Sequence, residues 1–324
     1  MVTLNDISEA RRRIQGVASR THLIEIDLAG KTPTNEGGRL YVKPENQQPI
    51  GAFKLRGAYN KIASLSENDR RRGVITYSSG NHAQGVAYAA RALGVKAVIV
   101  MPQNAPAIKR KATAALGAEI VFVGSSSSER QLKAEELAVQ HGYVIVPPYN
   151  DEQIIAGQGT MGLEILEDLP EVETVLAPVG GGGMLSGVAT AIKLSKPSAK
   201  VIGVEPELAG DARASFRTGK IVQFPAEQVS STIADGLRTQ SIGPINFEHI
   251  LRYVDDIVAV SEEEIVEAVR LLAANPDTLA EPSGAVAVAA FLFHRDQLPD
   301  AKLNVAIISG GNIDPKMLED FRRG

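Results

Sequence analysis

Apolar and polar residues follow one another along the chain in a pattern typical of alternating strands and helices. Short apolar runs predict strands, and the segments between them carry apolar residues at helical spacing. The predicted strands are Leu40–Lys43, Val74–Tyr77, Ala97–Met101, Glu119–Val123, Tyr143–Val146, Thr174–Pro178, Lys200–Glu205 and Asn304–Ile308. The predicted helices are Leu4–Ile14, Arg56–Leu65, Ala83–Leu93, Ala107–Leu116, Glu129–Gln140, Ile154–Leu169, Val188–Leu194, Glu262–Ala274 and Ala285–His294. Residues 219–260 are less regular and receive no assignment.

The alternation of strand and helix predicts the fold class and the domain organisation. Strands separated by helices form βαβ units, and such units build parallel sheets. A chain of 324 residues is long for a single core. The regular block at 73–150 is flanked by similar segments without a linker. We therefore expect an α/β protein of two interleaved lobes with mostly parallel, twisted sheets flanked by helices. The small domain would be 73–150, and the large domain would combine 1–72 with 151–324.

Composition narrows the classes of function. The net charge of −4 gives no support to a nucleic-acid partner or an anionic membrane surface. The absence of cysteine excludes disulfides, zinc–thiolate sites and thiol catalysis. The first residues lack an apolar signal region, and no apolar run reaches membrane-spanning length. We therefore expect a cytoplasmic protein.

A glycine-rich turn, Gly180–Gly183, joins the predicted strand at 174–178 to the helix that follows. Strand, glycine turn and helix present bare backbone N–H groups to a phosphate. A tight turn without a ligand explains the same residues. No Lys-Ser/Thr pair follows, as in a P-loop, and the dinucleotide fingerprint is absent. A phosphate bound here would therefore belong to a compound other than ATP or NAD.

Small hydroxyl, amide and glycine residues follow several predicted strands. The carboxyl ends of parallel strands meet at one edge of a sheet, where ligands bind. The segments that follow the strands are Ser78 to His82, Pro147 to Asn150, Gly180 to Gly183, Glu205, and Ser309 to Asn312. Each alone is explained by helix capping. Their recurrence at one edge predicts a ligand site.

Lys54 is the candidate nucleophile. Most lysines lie on solvated surfaces, and that explanation applies here too. The neighbours of Lys54 are small or aromatic, and they can bury its stem and lower its pKa, as a Schiff-base lysine requires. Ser79 lacks the Gly-x-Ser-x-Gly frame of an acyl-transfer triad, and the five histidines show no metal-binding spacing.

Five ordered motifs carry a resemblance to a known family. They are GAFKLRGAYN, SSGNHAQGVAYAA, IAGQGTMGLEIL, PVGGGGMLSG and SGGN. The sequence resembles pyridoxal-phosphate enzymes of fold type II, the tryptophan synthase β-like fold, and within them the threonine/serine dehydratase and serine racemase group. The resemblance implies pyridoxal 5′-phosphate as cofactor, a cofactor-binding large domain, a substrate-binding small domain and a homodimer.

The resemblance also implies residue roles. Lys54 would hold the cofactor as a Schiff base and then move the substrate Cα proton, and Phe53 would flank the ring. The phosphate cradle would be Gly180, Gly181, Gly182, Gly183 and the Met184 amide. Asn81 would hydrogen-bond the cofactor 3′ oxygen, and Ser309 would face the pyridine nitrogen. Asn150 and Gly236 would line the cofactor. The substrate carboxylate would bind at Ser78, Ser79, Gly80, Asn81 and His82.

Two further sites depend on the resemblance. Ser79 matches the serine that acts in racemases as a second acid/base opposite Lys54, although a carboxylate-binding serine explains it equally. Glu205 and Asp211, with the Ala209 carbonyl, match a divalent-cation loop. Such oxygen ligands suit Mg²⁺, Mn²⁺ or Ca²⁺, and an acidic loop with solvated carboxylates is the alternative.

The expected activity is dehydration of a small β-hydroxy amino acid. L-Threonine would give 2-oxobutanoate, and L-serine would give pyruvate, each with ammonia. Within the group, the alternatives are a serine racemase, a racemase side activity, or a dehydratase of 3-hydroxyaspartate or phenylserine. A non-catalytic amino-acid-binding protein is a further alternative, against which the intact Lys54 counts.

Overall fold

The structure is a computed structural model that describes residues 1–28, 38–78, 80–103, 105, 107–124 and 127–323. The strands are β1 (Ile24–Ile26), β2 (Arg39–Pro44), β3 (Val74–Tyr77), β4 (Ala97–Pro102), β5 (Glu119–Val123), β6 (Val144–Ile145), β7 (Thr174–Pro178), β8 (Lys200–Pro206), β9 (Asp256–Val260) and β10 (Leu303–Ile308). The helices are α1 (Leu4–Ile14), α2 (Lys54–Ala63), α3 (Glu67–Arg72), α4 (Asn81–Ala92), α5 (Ala107–Ala115), α6 (Ser127–His141), α7 (Glu152–Asp168), α8 (Gly183–Ser195), α9 (Asp211–Thr218), α10 (Ala226–Val229), α11 (Pro244–Tyr253), α12 (Glu262–Leu272), α13 (Pro282–Phe293) and α14 (Pro315–Arg323).

The larger sheet has six strands in the order β1-β2-β10-β7-β8-β9. Only the short pair β1–β2 is antiparallel, and the other described pairs of this sheet are parallel. Its strands bury both faces, as parallel strands covered by helices do. Leu176 and Ala306 lie in one core cluster with α12 and α13. Val175 and Val305, each one residue earlier, lie in a second cluster with α7, α8 and α11.

The smaller sheet has four parallel strands in the order β5-β4-β3-β6. Alternate residues again point to opposite faces. Ile99 packs with α2 and α4 on one face, and Val98 packs with α6 on the other. All four strands fall within 73–150. The α/β class, with mostly parallel sheets flanked by helices, is therefore confirmed, whereas the domain boundaries stay a prediction.

Helix α2 packs against both α4, beside the smaller sheet, and α7, beside the larger sheet. The contact with α7 depends on two glycines. A Cβ on Gly157 would lie 2.6 Å from the Gly57 Cα, and one on Gly57 would lie 2.4 Å from Gln158 Nε2. Glycine therefore lets the two helix backbones meet. The close approach places the first turn of α2 between the two sheets.

Several helices begin earlier than predicted. Helix α8 starts at Gly183 rather than Val188, and α4 starts at Asn81 rather than Ala83. The prediction followed the apolar runs, whereas α8 begins at a glycine of the turn and α4 begins with the polar residues Asn81 and His82. The elements that received no prediction are β1, α3, β9, α9, α10, α11 and α14.

Candidate functional site

The glycine turn and Ser309 leave the larger sheet at neighbouring positions. β7 and β10 pair in parallel, with Leu176 opposite Ala306. Gly180 follows β7 and Ser309 follows β10, so both lie at the carboxyl edge of the sheet. The predicted convergence of these two segments is therefore present.

The glycine turn exposes backbone donors. Gly182 has φ of +95°, in the left-handed region that favours glycine. The Ser186 N–H donates to the Gly182 carbonyl at 2.9 Å, so the N–H groups before it have no acceptor within α8. A Cβ on Gly181 would lie 2.3 Å from the Tyr149 ring. Any other residue at Gly181 would collide with that ring.

A hydroxyl lies beside the same turn. The Thr239 Oγ1 is buried and has no hydrogen-bond partner among the described residues. It lies 3.3 Å from the position that a Cβ on Gly180 would take. Backbone donors at a helix start, together with a free hydroxyl, are the groups that bind a phosphate.

Lys54 is the first residue of α2, and its side chain is half-buried. Its ammonium donates to the Pro148 carbonyl oxygen at 2.7 Å. Burial lowers the pKa of Lys54 to about 8 because the charged form loses hydration. The Nζ also lies 5.1 Å from the centroid of the Phe53 ring. The amine is therefore easier to deprotonate than that of a surface lysine.

The segment that follows β6 joins the lysine to the glycine turn. Pro148 accepts the hydrogen bond from Lys54, and the next residue, Tyr149, packs against Gly181 and Gly183. One short stretch of chain thus touches both the candidate nucleophile and the candidate phosphate cradle. The two features belong to one site.

Ser309 lies close to the start of α2. The Phe53 N–H donates to the Ser309 carbonyl at 3.0 Å. The Ser309 hydroxyl donates to the Ser283 carbonyl at 3.3 Å, and the Gly236 N–H donates to the Ser283 hydroxyl at 2.8 Å. Ser283 therefore joins two of the residues that the sequence assigns to the cofactor.

The Asn81 side chain bonds to two residues beyond the larger sheet. Its Nδ2 donates to Glu281 Oε1 at 2.6 Å, and its Oδ1 accepts from Asn312 Nδ2 at 2.8 Å. Asn150 lies elsewhere at the site, where its Oδ1 accepts from the Ile245 N–H at 3.0 Å and caps α11. Helix α11 in turn contacts the glycine turn, since a Cβ on Gly182 would lie 2.9 Å from the Asn246 Cβ.

Residues 78–80 precede α4, Asn81 and His82 begin it, and Ser79 lies outside the described residues. The Gly80 N–H donates to the Ser78 hydroxyl at 3.3 Å, and a Cβ on Gly80 would meet nothing within 4 Å among the described atoms. The His82 ring is buried, and its Nε2 donates to the Val146 carbonyl at 3.0 Å. Burial, with the nearby Lys54 charge adding to it, lowers the pKa of His82 to about 3. The ring is therefore neutral. Because its Nε2 already donates to Val146, the backbone N–H is the group of His82 that can donate to a ligand.

Glu205 and Asp211 form a buried acidic pair. The Glu205 oxygens accept the N–H groups of Ala212 and Arg213 at 3.0 and 2.8 Å. Burial raises the pKa of Asp211 to about 7. Burial also raises that of Glu205 well above its usual range, and the Asp211 charge adds to this effect. The Asp211 Oδ2 has no partner among the residues described.

Comparison with known proteins assigns the family. The model of the family described as "pyridoxal-phosphate dependent enzyme" matches residues 14–310. This chain belongs to that family.

Individual relatives agree with the family. The chain is 47% identical to an L-threonine ammonia-lyase of Thermotoga maritima, over 98% of this chain and 78% of the relative. It is 40% identical to an L-threo-3-hydroxyaspartate ammonia-lyase of Saccharomyces cerevisiae, over 97% of this chain and 94% of the relative. A solved structure of maize serine racemase superimposes with a TM-score of 0.92 at 36% identity, covering 98% of this chain and 96% of that one.

The site of this pyridoxal-phosphate enzyme fits its cofactor. Only glycine is accommodated at Gly181, the Thr239 hydroxyl has no partner in the described part of the chain, and Lys54 has a lowered pKa. These are the groups that a phosphate and an aldehyde require.

Sequence reasoning missed several contacts of the enzyme. Thr239 and Asn246 lie in the stretch that showed no regular pattern, so no signal pointed to them. Tyr149 stands next to Asn150, and its place after a strand was a usable signal. Glu281 precedes a proline at the start of α13, and it received no role from the sequence.

Within the described ranges, no group of three or more histidine, cysteine or acidic side chains is arranged to hold a metal ion. None of the helices in that part of the chain has the length and apolarity needed to cross a membrane.

Proposed function

We propose that this protein is a pyridoxal-phosphate-dependent ammonia-lyase acting on L-threonine and L-serine. Threonine would yield 2-oxobutanoate and ammonia, and serine would yield pyruvate and ammonia. The observation that carries the proposal is the Pro148-Tyr149 contact, which brings the Lys54 amine and the Gly181 turn into one site. The high identity to a threonine ammonia-lyase supports this choice of substrate.

The residues that would hold the cofactor are those of the two strand ends and the start of α2. Lys54 would bind it covalently, Phe53 would flank its ring, and Ser309 would face its pyridine nitrogen. The phosphate would bind at Gly180, Gly181, Gly182, Gly183 and the Met184 amide, with Thr239 as an added donor. Asn81, Asn150 and Gly236 would line the remaining edges. When bound, pyridoxal phosphate supplies an electron sink for a carbanion at the substrate Cα.

Lys54 is the proposed base. With a pKa near 8, its Nζ can accept a proton and return it near neutral pH, which is the range general acid–base catalysis requires. Once the incoming substrate amine has freed it, the Lys54 amine would remove the Cα proton. The Cβ–O bond would then break, and the departing hydroxide would take up that proton and leave as water. Hydrolysis of the resulting enamine adds a water back, so that the overall products are a 2-oxo acid and ammonia.

The loop before α4 is the proposed carboxylate site. The substrate carboxylate would accept from the backbone N–H groups of Ser78 to His82 and from the Ser79 hydroxyl. A helix N-terminus with open space at Gly80 suits an anion. The buried His82 ring would support the loop from below rather than contact the substrate.

Glu205, the Ala209 carbonyl and Asp211 are the proposed ligands of a divalent cation. Two buried carboxylates with raised pKa values, one with an unpartnered oxygen, favour a cation between them. Oxygen donors suit Mg²⁺, Mn²⁺ or Ca²⁺. Tyr149 packs against the glycine turn, and its raised pKa, due mainly to burial, also reflects the nearby Asp211 charge. The cation would therefore stabilise the loop behind the phosphate cradle.

Two other activities have a specific observation in their favour. The similarity to maize serine racemase, together with Ser79 in the loop before α4, favours a racemase side activity with Ser79 as second acid/base. The similarity to the yeast hydroxyaspartate lyase favours 3-hydroxyaspartate as an alternative substrate. Cytoplasmic location and a homodimer stay predictions.

Product analysis of the purified holoenzyme tests the proposal. The enzyme is incubated with L-threonine, L-serine or L-threo-3-hydroxyaspartate, and the 2-oxo acid, ammonia and D-serine are quantified. We expect 2-oxobutanoate from threonine, and Lys54→Ala should abolish both the activity and the visible absorption of bound cofactor. Oxo acid from hydroxyaspartate alone would transfer the assignment to that substrate. Turnover by Lys54→Ala would overturn the role of Lys54.

A further inference from the structure

The last three residues of the SGGN motif have no role in the proposed function, yet two of them, Gly310 and Asn312, lie against Asn81, a predicted cofactor contact. Asn312 Nδ2 donates to Asn81 Oδ1 at 2.8 Å and to the Ile50 carbonyl at 2.9 Å. Asn81 and Asn312 are 231 residues apart along the chain. The contact therefore joins the start of α4, beside the smaller sheet, to the end of β10 in the larger one.

The two ends of the Asn81 amide face chemically different partners. Its Nδ2 lies 2.6 Å from Glu281 Oε1, and an ionised carboxylate can only accept. Its Oδ1 lies 2.8 Å from Asn312 Nδ2, which can only donate. A half-turn of the amide would oppose oxygen to oxygen and nitrogen to nitrogen. Glu281 and Asn312 thus select one of the two orientations.

Glycines leave room for this pair of hydrogen bonds. A Cβ on Gly310 would lie 2.7 Å from Glu281 Oε1 and 3.2 Å from Asn81 Nδ2. A Cβ on Gly51 would lie 2.5 Å from Asn312 Oδ1. The 2.7 Å and 2.5 Å separations are too short for a side chain at Gly310 or Gly51. Gly310 follows Ser309 and Gly51 precedes Lys54, so the glycines of two motifs serve one arrangement.

We propose that Glu281 and Asn312 are positioning residues that hold the Asn81 amide nitrogen toward the cofactor. The proposal depends on the assignment of Asn81 to the cofactor 3′ oxygen. An amide nitrogen carries two hydrogens. Glu281 takes one, and the other is available to an acceptor such as the ring oxygen. The reversed amide would oppose a carbonyl oxygen to that oxygen and repel it.

The test measures cofactor affinity without substrate. The purified holoenzyme is dialysed against graded pyridoxal phosphate, and occupancy is read from the visible absorption band. Asn312→Ala removes the donor and should weaken binding about threefold, the size of one net hydrogen bond. Asn312→Asp keeps the shape of the side chain but replaces its donor by an acceptor. The Asn81 amide should then rotate by half a turn, and cofactor binding should weaken about tenfold. Gln47→Ala is the control, since Gln47 also bonds to a backbone carbonyl in this region.

The proposal is tested by which of the two Asn312 variants binds the cofactor more weakly. A residue that only fills space would tolerate aspartate better than alanine, and that order would overturn the proposal. In an Asn81→Ala background, both variants should bind the cofactor equally, because Asn312 acts through Asn81. Unequal losses in that background would also overturn it.

A double variant tests the part of Glu281. In Asn312→Asp/Glu281→Gln, the turned amide regains a donor at position 281. Thermal stability should therefore rise above that of Asn312→Asp alone, while the lost hydrogen bond to the Ile50 carbonyl keeps it below the wild-type value and cofactor affinity stays low. If affinity recovered with stability, or stability did not rise, the role of Glu281 would be wrong. If Asn81→Ala alone left affinity unchanged, this inference would fall, while product formation by the wild-type enzyme would still test the lyase activity separately.

Discussion

The Arg56 guanidinium donates to both carboxylate oxygens of Glu164, at 2.7 and 2.8 Å. The same guanidinium donates to both oxygens of Glu45, each at 2.8 Å. All three side chains are buried. Lys43 completes the network with a hydrogen bond to Glu164 at 2.5 Å. Because Arg56 lies in the first turn of α2, this network anchors the turn that carries Lys54.

Arg56→Leu should strongly destabilise the protein. It leaves Glu45 without its arginine and Glu164 without its bidentate partner, in a buried site. Removing one partner of a buried charge network costs about 3–5 kcal/mol. Urea unfolding followed by circular dichroism measures this difference.

The matched control is Arg71→Leu, which breaks the exposed pair with Glu67 at 2.8 Å. Exposed pairs of this kind contribute about 0–1 kcal/mol. If the two variants lost similar stability, the network would not be the anchor of α2.

Cofactor capture should depend on pH with a midpoint near 8. The neutral amine of Lys54 is the nucleophile, and burial lowers its pKa from 10.5 to about 8. The neutral fraction therefore grows as pH rises through 8, and the rate of appearance of the visible band should rise with it and then level off. Mixing apoprotein with pyridoxal phosphate between pH 6 and 10 measures this. A rate still rising near pH 10 would show an ordinary solvated lysine.

Gly181→Ala should weaken cofactor binding about tenfold or more. The added methyl group would lie 2.3 Å from the Tyr149 ring, so the ring or the turn must move. Gly180→Ala is the milder comparison, because its Cβ would lie 3.3 Å from its nearest neighbours. Occupancy measured from the visible band should rank the wild type first, then Gly180→Ala, then Gly181→Ala. Equal binding by all three would remove the steric argument.

A divalent cation should stabilise the protein through Asp211. The wild type treated with EDTA should melt at a lower temperature, and Mg²⁺, Mn²⁺ or Ca²⁺ should restore it by mass action. Asp211→Asn should remove this response. Glu207→Gln, in the same loop but exposed, should retain it. A response that survives in Asp211→Asn would place the cation elsewhere.

Local pattern predicted most of the sheets. The strands at 74–77, 119–123 and 174–178 match their predicted bounds. Short apolar runs between helical segments are typical of buried strands. Strand β9 was missed, although it is as buried as the others, since it follows an irregular stretch that masks its pattern. The starts of α4 and α8 were missed because α4 begins with polar residues and α8 begins at a glycine of the turn.

The sequence by itself determined the α/β class and the position of the glycine turn, and it pointed to Lys54 as the candidate nucleophile. Strand periodicity, turn glycines and motif order can all be read from the chain without its tertiary contacts. Only the tertiary structure decided which distant residues meet. Arg56 pairs with Glu164 across 108 residues, and Thr239 reaches the glycine turn from a stretch without a pattern. The physical reason is burial. Hydrogen-bond partners and the lowered pKa of Lys54 depend on which groups are buried against one another. The packing of the two sheets around α2 determines which groups those are.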